Sequence, residues 1–557
     1  MVQSTSKVMP LEEAVRRFVR PGIQLHMETA ARAAYRAIMR EFRGQKLDLT
    51  LLMCRVGGSH AFDFVSSGLV KKVVAGSYGL VSRAYTGPMP QIQRLYRSGT
   101  VEFESWSLYS YILRLMAGAL RQPFALTHSL VGSDLARENE ERFKVIKDPF
   151  GSGRDVAVIP ALNPDLSIVH VAAADEDGNA IMAMPMEESL WGAKASVGGV
   201  IVCTERIVPQ EYIQANAHLV RLPALLVRAV CQVPFGAHPG AMYNRGVPDA
   251  IAYAEDEDFV DEYAKAARGE PQDIQRWLDA WVYGPKDHAD YLKRLGQERL
   301  QRLQAASRQV GESGGAPPKN AAQELVMIAA MRKIMERVQT KGYEVLLAGA
   351  GQADIAAGLA YQVLRQKGFP IYVVTGTGYF GYTPSMGFSS KYLTSAMLAD
   401  THECYGVLLG GNRRTALALL GAGQIDKHGN LNLNRVGNLF LTGSGGANDA
   451  ASLAPEALVV SGLSRRKFVE RVDFITCPGD HVQTVVTDRG VFEKDPVSGE
   501  LVLTSYLRTA EVTSPDQVVA GIQQNCGWQV RAAPGLREMP PPTPEETALL
   551  HAFLALP

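Results

Sequence analysis

Neither sign of charge is in excess in this chain, which carries 57 Lys and Arg against 57 Asp and Glu. That balance argues against a broadly basic surface for nucleic acid or for an anionic membrane. Long apolar runs are also missing. No stretch reaches the roughly 18–20 apolar residues that a membrane-spanning helix needs. Residues 1–20 mix charges with short apolar pieces and hold no continuous apolar signal core. Cysteine is sparse: six residues stand at 54, 203, 231, 404, 477 and 526, and none forms a C-x-x-C pair. A disulfide framework is therefore not expected, and a reducing cytoplasm suits the composition. Each cysteine reads as a small buried apolar side chain. No His/Cys/Asp cluster has ligand spacing, so no metal site is expected.

What is present is a repeated alternation of short apolar runs and helical stretches. Residues 28–42 have helical apolar spacing, and 47–55 form a strand-like run ending at Gly57-Gly58. Runs rich in Val, Ile and Leu follow at 70–74, 123–126, 156–160, 168–173, 198–203 and 225–230. Such alternation predicts an α/β layered domain with a mainly parallel sheet. From 255 to 308 charges and long side chains take over, with Trp277 and Trp281 four apart, and a helical excursion is predicted. The run Ser313-Gly-Gly-Ala-Pro-Pro-Lys319 cannot hold regular structure. The first domain is therefore set at 1–312, the linker at 313–320 and the second domain at 321–557.

The second domain opens with a helix over 321–338 and a strand over 344–348 running into Gly349-Ala-Gly351. Further strands are predicted at 371–374, 406–409, 416–419, 457–460 and 474–476. A hairpin spans 491–503, turning on Pro496-Val-Ser-Gly499, and an extended tail at 539–544 precedes a short helix. Asp175-Glu-Asp-Gly-Asn179 in the first half is echoed by Asp426-Lys-His-Gly-Asn430 in the second. Gly-Asn pairs supply positive-φ turn positions, and their recurrence suggests duplicated domains.

Several loops could carry chemistry. Gly349-Ala-Gly351 sits between a strand and a helix, but Asp354 stands where a dinucleotide fingerprint wants its third glycine. A carboxylate at a helix start repels pyrophosphate, so a tight turn or another ligand is the better reading. Gly443-Ser-Gly445-Gly446-Ala447 lets backbone approach a ligand and point N–H groups at developing negative charge, or is a structural loop. Glu102 and Glu104 flank Phe103 and share one face if the segment is extended. Two close carboxylates would raise one pKa and supply a general base; a solvated strand end is the plainer alternative. Ser59 and His60 follow Gly57-Gly58 and are placed either on a substrate carbonyl or carboxylate, or in a simple loop. His402-Glu403 reads as an exposed cap.

Many collinear motifs resemble the family I coenzyme A transferases of the glutaconate type. In the first half these are Met116-Ala-Gly-Ala-Leu-Arg-Gln-Pro-Phe124, Gly132-Ser-Asp134, Ile159-Pro-Ala-Leu-Asn-Pro-Asp165 with His170, Thr204-Glu-Arg-Ile-Val208 and Val233-Pro-Phe-Gly-Ala-His-Pro239. The second half is similar to the partner subunit through Gly421-Ala-Gly-Gln424-Ile-Asp426, Gly429-Asn430-Leu-Asn432, the Gly443 loop and residues 487–503. The likeness covers roughly residues 20–530 and implies both subunits fused in one chain, each a NagB/RpiA-like α/β domain. It implies an acyl-CoA enzyme, with coenzyme A as substrate rather than resident cofactor, and a homo-oligomer without nucleic-acid or membrane partners. Gly349, Gly351, Gln424, Asn430, Gly443, Gly445, Gly446 and Ala447 would then lie along the CoA, which a cleft between two facing lobes would hold.

The family's route uses a strand-end glutamate that attacks the thioester and becomes a glutamyl-CoA. The corresponding stretch here is Val373-Val-Thr375-Gly376-Thr377-Gly378-Tyr379, with Gly376 in the glutamate's place and no acid between Asp354 and Asp400. Gly376, Thr377 and Tyr379 become expected substrate-pocket residues. A hydroxyl with no adjacent base is a poor nucleophile, so Thr375, Thr377 and Tyr379 are assigned to positioning. Relatives without the glutamate include ring-opening hydrolases of steroid breakdown and a decarboxylase of an unsaturated dicarboxyl-CoA. The resemblance therefore implies a thioester enzyme on a dicarboxylic acyl-CoA, with transfer, hydrolysis or C–C cleavage, and decarboxylation all open. A non-catalytic CoA-binding protein is the alternative.

Overall fold

The computed structural model describes residues 6–81, 85–151, 153, 155–309, 320–385, 388–507 and 514–555. Residues 313–319 of the expected linker lie outside them. The chain forms two compact units. The first contains residues 1–127, 158–310 and 438–445; the second contains 128–157, 311–437 and 446–557.

The first unit holds a sheet of seven parallel strands: β1 (Gln24–Met27), β2 (Leu49–Arg55), β3 (Val70–Ser77), β4 (Glu102–Ser105), β5 (Leu166–Val171), β6 (Val200–Thr204) and β7 (Val227–Gln232). Their order is β7-β6-β5-β1-β2-β3-β4. Every residue of β5 and β6 is buried, as a strand covered on both faces requires. Helices α1 (Arg32–Glu41), α2 (Ser59–Ser66) and α3 (Leu108–Ala119) belong to this unit. At the start of α3 the Ser107 hydroxyl accepts from the Ser110 N–H at 3.2 Å, closing a capping box. Strand order reverses between β1 and β5, so a crevice at their carboxyl ends is the natural ligand position in such a sheet.

The helical excursion is present as α4 (Glu257–Arg268), α5 (Pro271–Leu278), α6 (His288–Leu295) and α7 (Gln297–Ala306). Trp277 packs edge-on against Phe259 and Tyr263, with centroids 5.4 and 4.8 Å apart. Asp256, the α4 cap, accepts from His238 and Arg299, each at 2.9 Å, tying the excursion to the domain.

The second unit holds a ten-stranded mixed sheet: β8 (Val345–Ala348), β9 (Tyr372–Val374), β10 (Tyr379–Phe380), β11 (Met397–Leu398), β12 (Ala416–Leu420), β13 (Glu456–Val460), β14 (Val482–Val486), β15 (Gly490–Lys494), β16 (Leu501–Leu507) and β17 (Ala532–Met539). The five central strands, in the order β9-β8-β12-β13-β14, are parallel. Helices α8 (Ala321–Lys341), α9 (Gln352–Gln366) and α10 (Pro544–Leu554) complete the elements used below. The 491–503 hairpin is present as β15 and β16. The expected strand at 406–409 is instead part of a π-helical turn, Cys404–Leu409. No strand forms at 474–476; Cys477 makes only an isolated bridge to Leu431. The extended tail continues from β17, which pairs parallel with β16.

The Asp-x-x-Gly-Asn echo is the same turn built twice. Asp175 Oδ1 accepts from the Asn179 N–H at 2.7 Å, and Asp426 Oδ1 from the Asn430 N–H at 3.1 Å. Each asparagine amide returns a hydrogen bond to the other carboxylate oxygen. Gly178 and Gly429 both have positive φ, and each lies against the first valine of a strand, Val227 or Val482. All six cysteines are buried thiols. Among the described residues no helix is long and apolar enough to cross a membrane.

Candidate active site

Glu104 is the most heavily engaged of the expected acids. It lies on the edge strand β4, opposite Val74 of β3, and is 9% exposed. Trp106 Nε1 donates to its Oε1 at 2.8 Å, Lys72 Nζ lies 2.8 Å from Oε2, and Arg114 of α3 lies 3.3 Å from Oε1. Lys72 also reaches Glu102 at 2.7 Å, so the two glutamates share one face of the strand as alternation requires. The expected raised pKa is not found. Burial works to raise Glu104, but the Lys72 hydrogen bond, the charge of Arg114 and the Trp106 hydrogen bond outweigh it. The net shift is downward, and Glu104 is a fixed anion. The reason is the lysine between the two carboxylates, which replaces mutual repulsion by shared attraction. Glu102 is exposed at the same edge.

Ser59 and His60 open α2 at the carboxyl end of β2 and are fully buried. Their side chains meet at 3.0 Å, and the other His60 ring nitrogen lies 3.3 Å from Arg36. Burial, then the charges of Arg36 and Arg32, hold His60 well below the usual imidazole range. It is a neutral core histidine with both ring nitrogens engaged.

Sequence reasoning missed a carboxylate cluster beside β1. Glu28 follows β1 directly at the topological reversal, and its Oε2 accepts from the His170 N–H of β5 at 2.5 Å. Loss of hydration, opposed by the His170 and Ser189 hydrogen bonds, pushes Glu28 up to about 7. The buried Glu188 is pushed up to about 8, first by burial and then by the charge of Glu187, while Glu187 pairs with Arg55 at the end of β2. The adjacent acids Glu187-Glu188 directly after the apolar run 180–186 were the available signal. Both raised groups bind protons more tightly folded than unfolded. Their contribution to stability is full below the ordinary value of 4.5 and is lost as pH rises through about 7 to 8. Denaturant titrations between about pH 5 and pH 8 should therefore show the parent losing stability more steeply than Glu188→Gln. Equal slopes would remove the cluster from the account.

In the second unit, Gly349 and Gly351 turn the chain from β8 into α9. A Cβ at Gly349 would lie 2.7 Å from the Leu419 carbonyl of β12, and Gly351 has φ of +85°. Asp354 pairs with Lys391. Gln424 accepts from Asn432 at 2.7 Å and from the Asp473 N–H at 3.1 Å, and donates to Asp473. Asn430 donates to Asp426 and accepts from the Gly479 N–H at 2.9 Å. Both amides thus hold their own loops together. Gly443 and Gly445 have positive φ, but the Gly445 N–H donates to the Gly76 carbonyl at 2.8 Å and is spent on β3. Glu403 caps the turn at Asp400, accepting from its N–H at 2.8 Å, but it and His402 are half-buried rather than exposed.

Gly376, Thr377 and Tyr379 form the turn after β9, with the Thr375 and Thr377 hydroxyls 2.9 Å apart. One further residue, unseen in the sequence, closes on this turn. Tyr405, 4% exposed, comes from the π-helical segment, and its hydroxyl oxygen lies against both Gly376 and Gly446. A Cβ at either glycine would collide with that oxygen and lie 2.5 Å from Tyr405 Cζ. Gly446 is followed by Ala447, the first residue of a short helix, Ala447–Leu453.

Residues 8–232 match the family described as Coenzyme A transferase. Glutaconate CoA-transferase of Acidaminococcus fermentans has one subunit that is 27% identical over 53% of this chain and 93% of its own length. The two subunits of 3-oxoadipate CoA-transferase of Pseudomonas knackmussii both match. One is 27% identical over 52% of this chain and 99% of its own length, the second 28% identical over 42% and 92%. A cholesterol ring-cleaving hydrolase of Rhodococcus jostii has one subunit that is 27% identical over 54% of this chain and 100% of its own length. An uncharacterized protein of Archaeoglobus fulgidus is 31% identical over 54% of this chain, which spans 65% of that relative's length. The fold is shared over 100% of this chain with an acyl-CoA transferase of Escherichia coli O157:H7, at 15% identity and a TM-score of 0.67 over 99% of that chain. Over residues 8–232 the chain is similar to the coenzyme A transferase family, and both subunits of a two-subunit relative match this one polypeptide, consistent with a fusion.

Proposed function

We propose that this protein is an enzyme acting on a dicarboxylic acyl-CoA without passing through a glutamyl-CoA, so that it cleaves the bound acid by hydrolysis or C–C scission rather than transferring CoA. The observation that carries the reading is at position 376. The residue that the resemblance sets in the place of the family nucleophile is glycine, and the Tyr405 hydroxyl takes up the space a side chain there would need. A glycine supplies no carboxylate at that point, and among the described residues the hydrogen-bond partners of the neighbouring threonine hydroxyls include no base. Similarity to one chain of a ring-cleaving hydrolase supports the same direction.

The acids of the first unit divide the work by charge. Glu104, held below its ordinary pKa, serves as a fixed anion that orders Lys72 and Arg114. Glu28, near 7, has the affinity expected of a proton carrier at neutral pH. Coenzyme A enters as part of the substrate. We read the chain as a cytoplasmic homo-oligomer.

The test follows free CoA release from a panel of dicarboxyl- and ring-containing acyl-CoAs, with and without an acceptor acid, together with hydroxylamine and borohydride trapping. The expected result is turnover that needs no acceptor and a protein that stays unlabelled. Acceptor-dependent release with an acyl-CoA-dependent label on one acid would establish a transferase instead.

A further inference from the structure

Gly376 and Gly446 are separated by 70 positions in the chain, yet both face one phenolic oxygen. Neither needs glycine for its backbone. Gly446 has φ of −93°, and Gly376 is not among the positive-φ positions. What both lack is a side chain, and what a side chain would displace at each is the Tyr405 hydroxyl. The ring is buried, whereas both glycines that its oxygen touches are partly exposed. Tyr405 projects from a π-helical turn, Cys404–Leu409, a rare geometry that recurs at functional sites. The Thr375 and Thr377 hydroxyls make the neighbouring wall polar.

We propose that the Tyr405 hydroxyl donates a hydrogen bond to the thioester carbonyl oxygen of the bound acyl-CoA, standing where the family's carboxylate would otherwise stand. The proposal rests on the acyl-CoA reading above. In that reading, position 376 marks where the reacting carbonyl lies, and glycine at 376 and 446 makes the room in which the phenol oxygen stands. The bond gains strength as negative charge develops on the oxygen, and no proton need leave the tyrosine.

Tyr405→Phe keeps the ring and removes only the oxygen. In the full-length chain kcat is expected to fall by about 10²-fold or more, the usual cost of deleting one oxyanion donor. KM and CoA affinity by calorimetry should stay at the parent values. Infrared difference spectra of a bound acyl-CoA should show the thioester carbonyl stretch at lower frequency in the parent and moved back in Tyr405→Phe. That readout does not depend on turnover, and a role limited to packing would not shift it. An active parent whose Tyr405→Phe variant keeps its kcat, or an unmoved carbonyl band, overturns the proposal alone. A parent that binds no CoA overturns the acyl-CoA reading and the proposal with it.

Discussion

A Gly376→Ala variant is expected to lose stability although its backbone accepts any residue, and the cost of that alanine is expected to shrink when it is made in a Tyr405→Ala background. The added Cβ would lie 2.5 Å from Tyr405 Cζ and closer still to its oxygen. The tyrosine ring is buried and cannot swing away, so relief must come from off-rotamer strain or from movement of the turn after β9. Overpacking of this kind costs about 1–3 kcal/mol, and Gly376→Glu, which adds a longer charged chain, should cost more. Tyr405→Ala alone leaves a cavity and is itself destabilising by about 3–5 kcal/mol, by analogy with other aromatic truncations. The informative quantity is the coupling between the two sites, expected to be favourable and within about 0.5–3 kcal/mol. Denaturant unfolding of the two single variants and the double variant measures it. Additive losses would mean that Tyr405 does not guard position 376. The Gly376→Glu, Tyr405→Ala pair adds a chemical readout: an acyl-CoA-dependent, hydroxylamine-sensitive label on the new carboxylate would establish that 376 is the family's nucleophile position.

The second large effect is expected at Glu104. In Glu104→Ala, Arg114, whose side chain is 5% exposed, and Lys72, at 18%, lose a shared partner, and Trp106 Nε1 loses its acceptor. Removing one side of a buried ion pair costs up to about 3–5 kcal/mol, and the loss is moderated here because Lys72 keeps Glu102 and Arg114 keeps the Pro160 carbonyl. Turnover should be lost together with stability. Glu104→Gln retains an oxygen for Trp106 and should recover part of the stability without recovering the charge. Glu102→Ala provides the contrast: that side chain is 64% exposed, and its effect on stability should stay within about 0.5 kcal/mol. The pH dependence has a definite sign. Glu104 sits below its ordinary pKa when folded, so its contribution is present above 4.5 and disappears as pH falls through the lowered value. The stability gap between parent and Glu104→Gln should therefore be wide at neutral pH and close on acidification. A gap independent of pH would remove the charge from the explanation.

Much of the fold was legible in the order of short apolar runs, because parallel strands buried on both faces must be continuously apolar. β2, β12 and β13 fall within two residues of where the runs place them. The run at 406–409 failed for a physical reason: a short apolar stretch cannot be divided between strand and buried helix by periodicity. The Asp400/Glu403 capping box just upstream was the signal that would have settled it. β14 is absent from the predicted strands, and its Val-Gln-Thr-Val-Val pattern has two polar residues inside the apolar run. At the site, Glu102 and Glu104 were found by alternation, but the sign of the Glu104 shift depends on Lys72, thirty-two positions away. The resemblance places Gln424 and Asn430 along the CoA, while the bonds they make to Asp473, Asn432, Asp426 and Gly479 depend on tertiary neighbours.

The linear chain by itself determined the α/β layering, the doubled Asp-Gly-Asn turn, the helical excursion and the absence of a carboxylate at position 376. Those are properties of local pattern and residue type, set by hydrophobic period and by which side chains exist at all. Only the folded molecule decided that Glu104 is a held anion, that Glu28 and Glu188 titrate near neutrality, and that a tyrosine 29 positions along the chain occupies the space above Gly376. Ionisation and steric exclusion depend on distance through space and on hydration, and strand order and helix packing set both without leaving a mark in the local sequence.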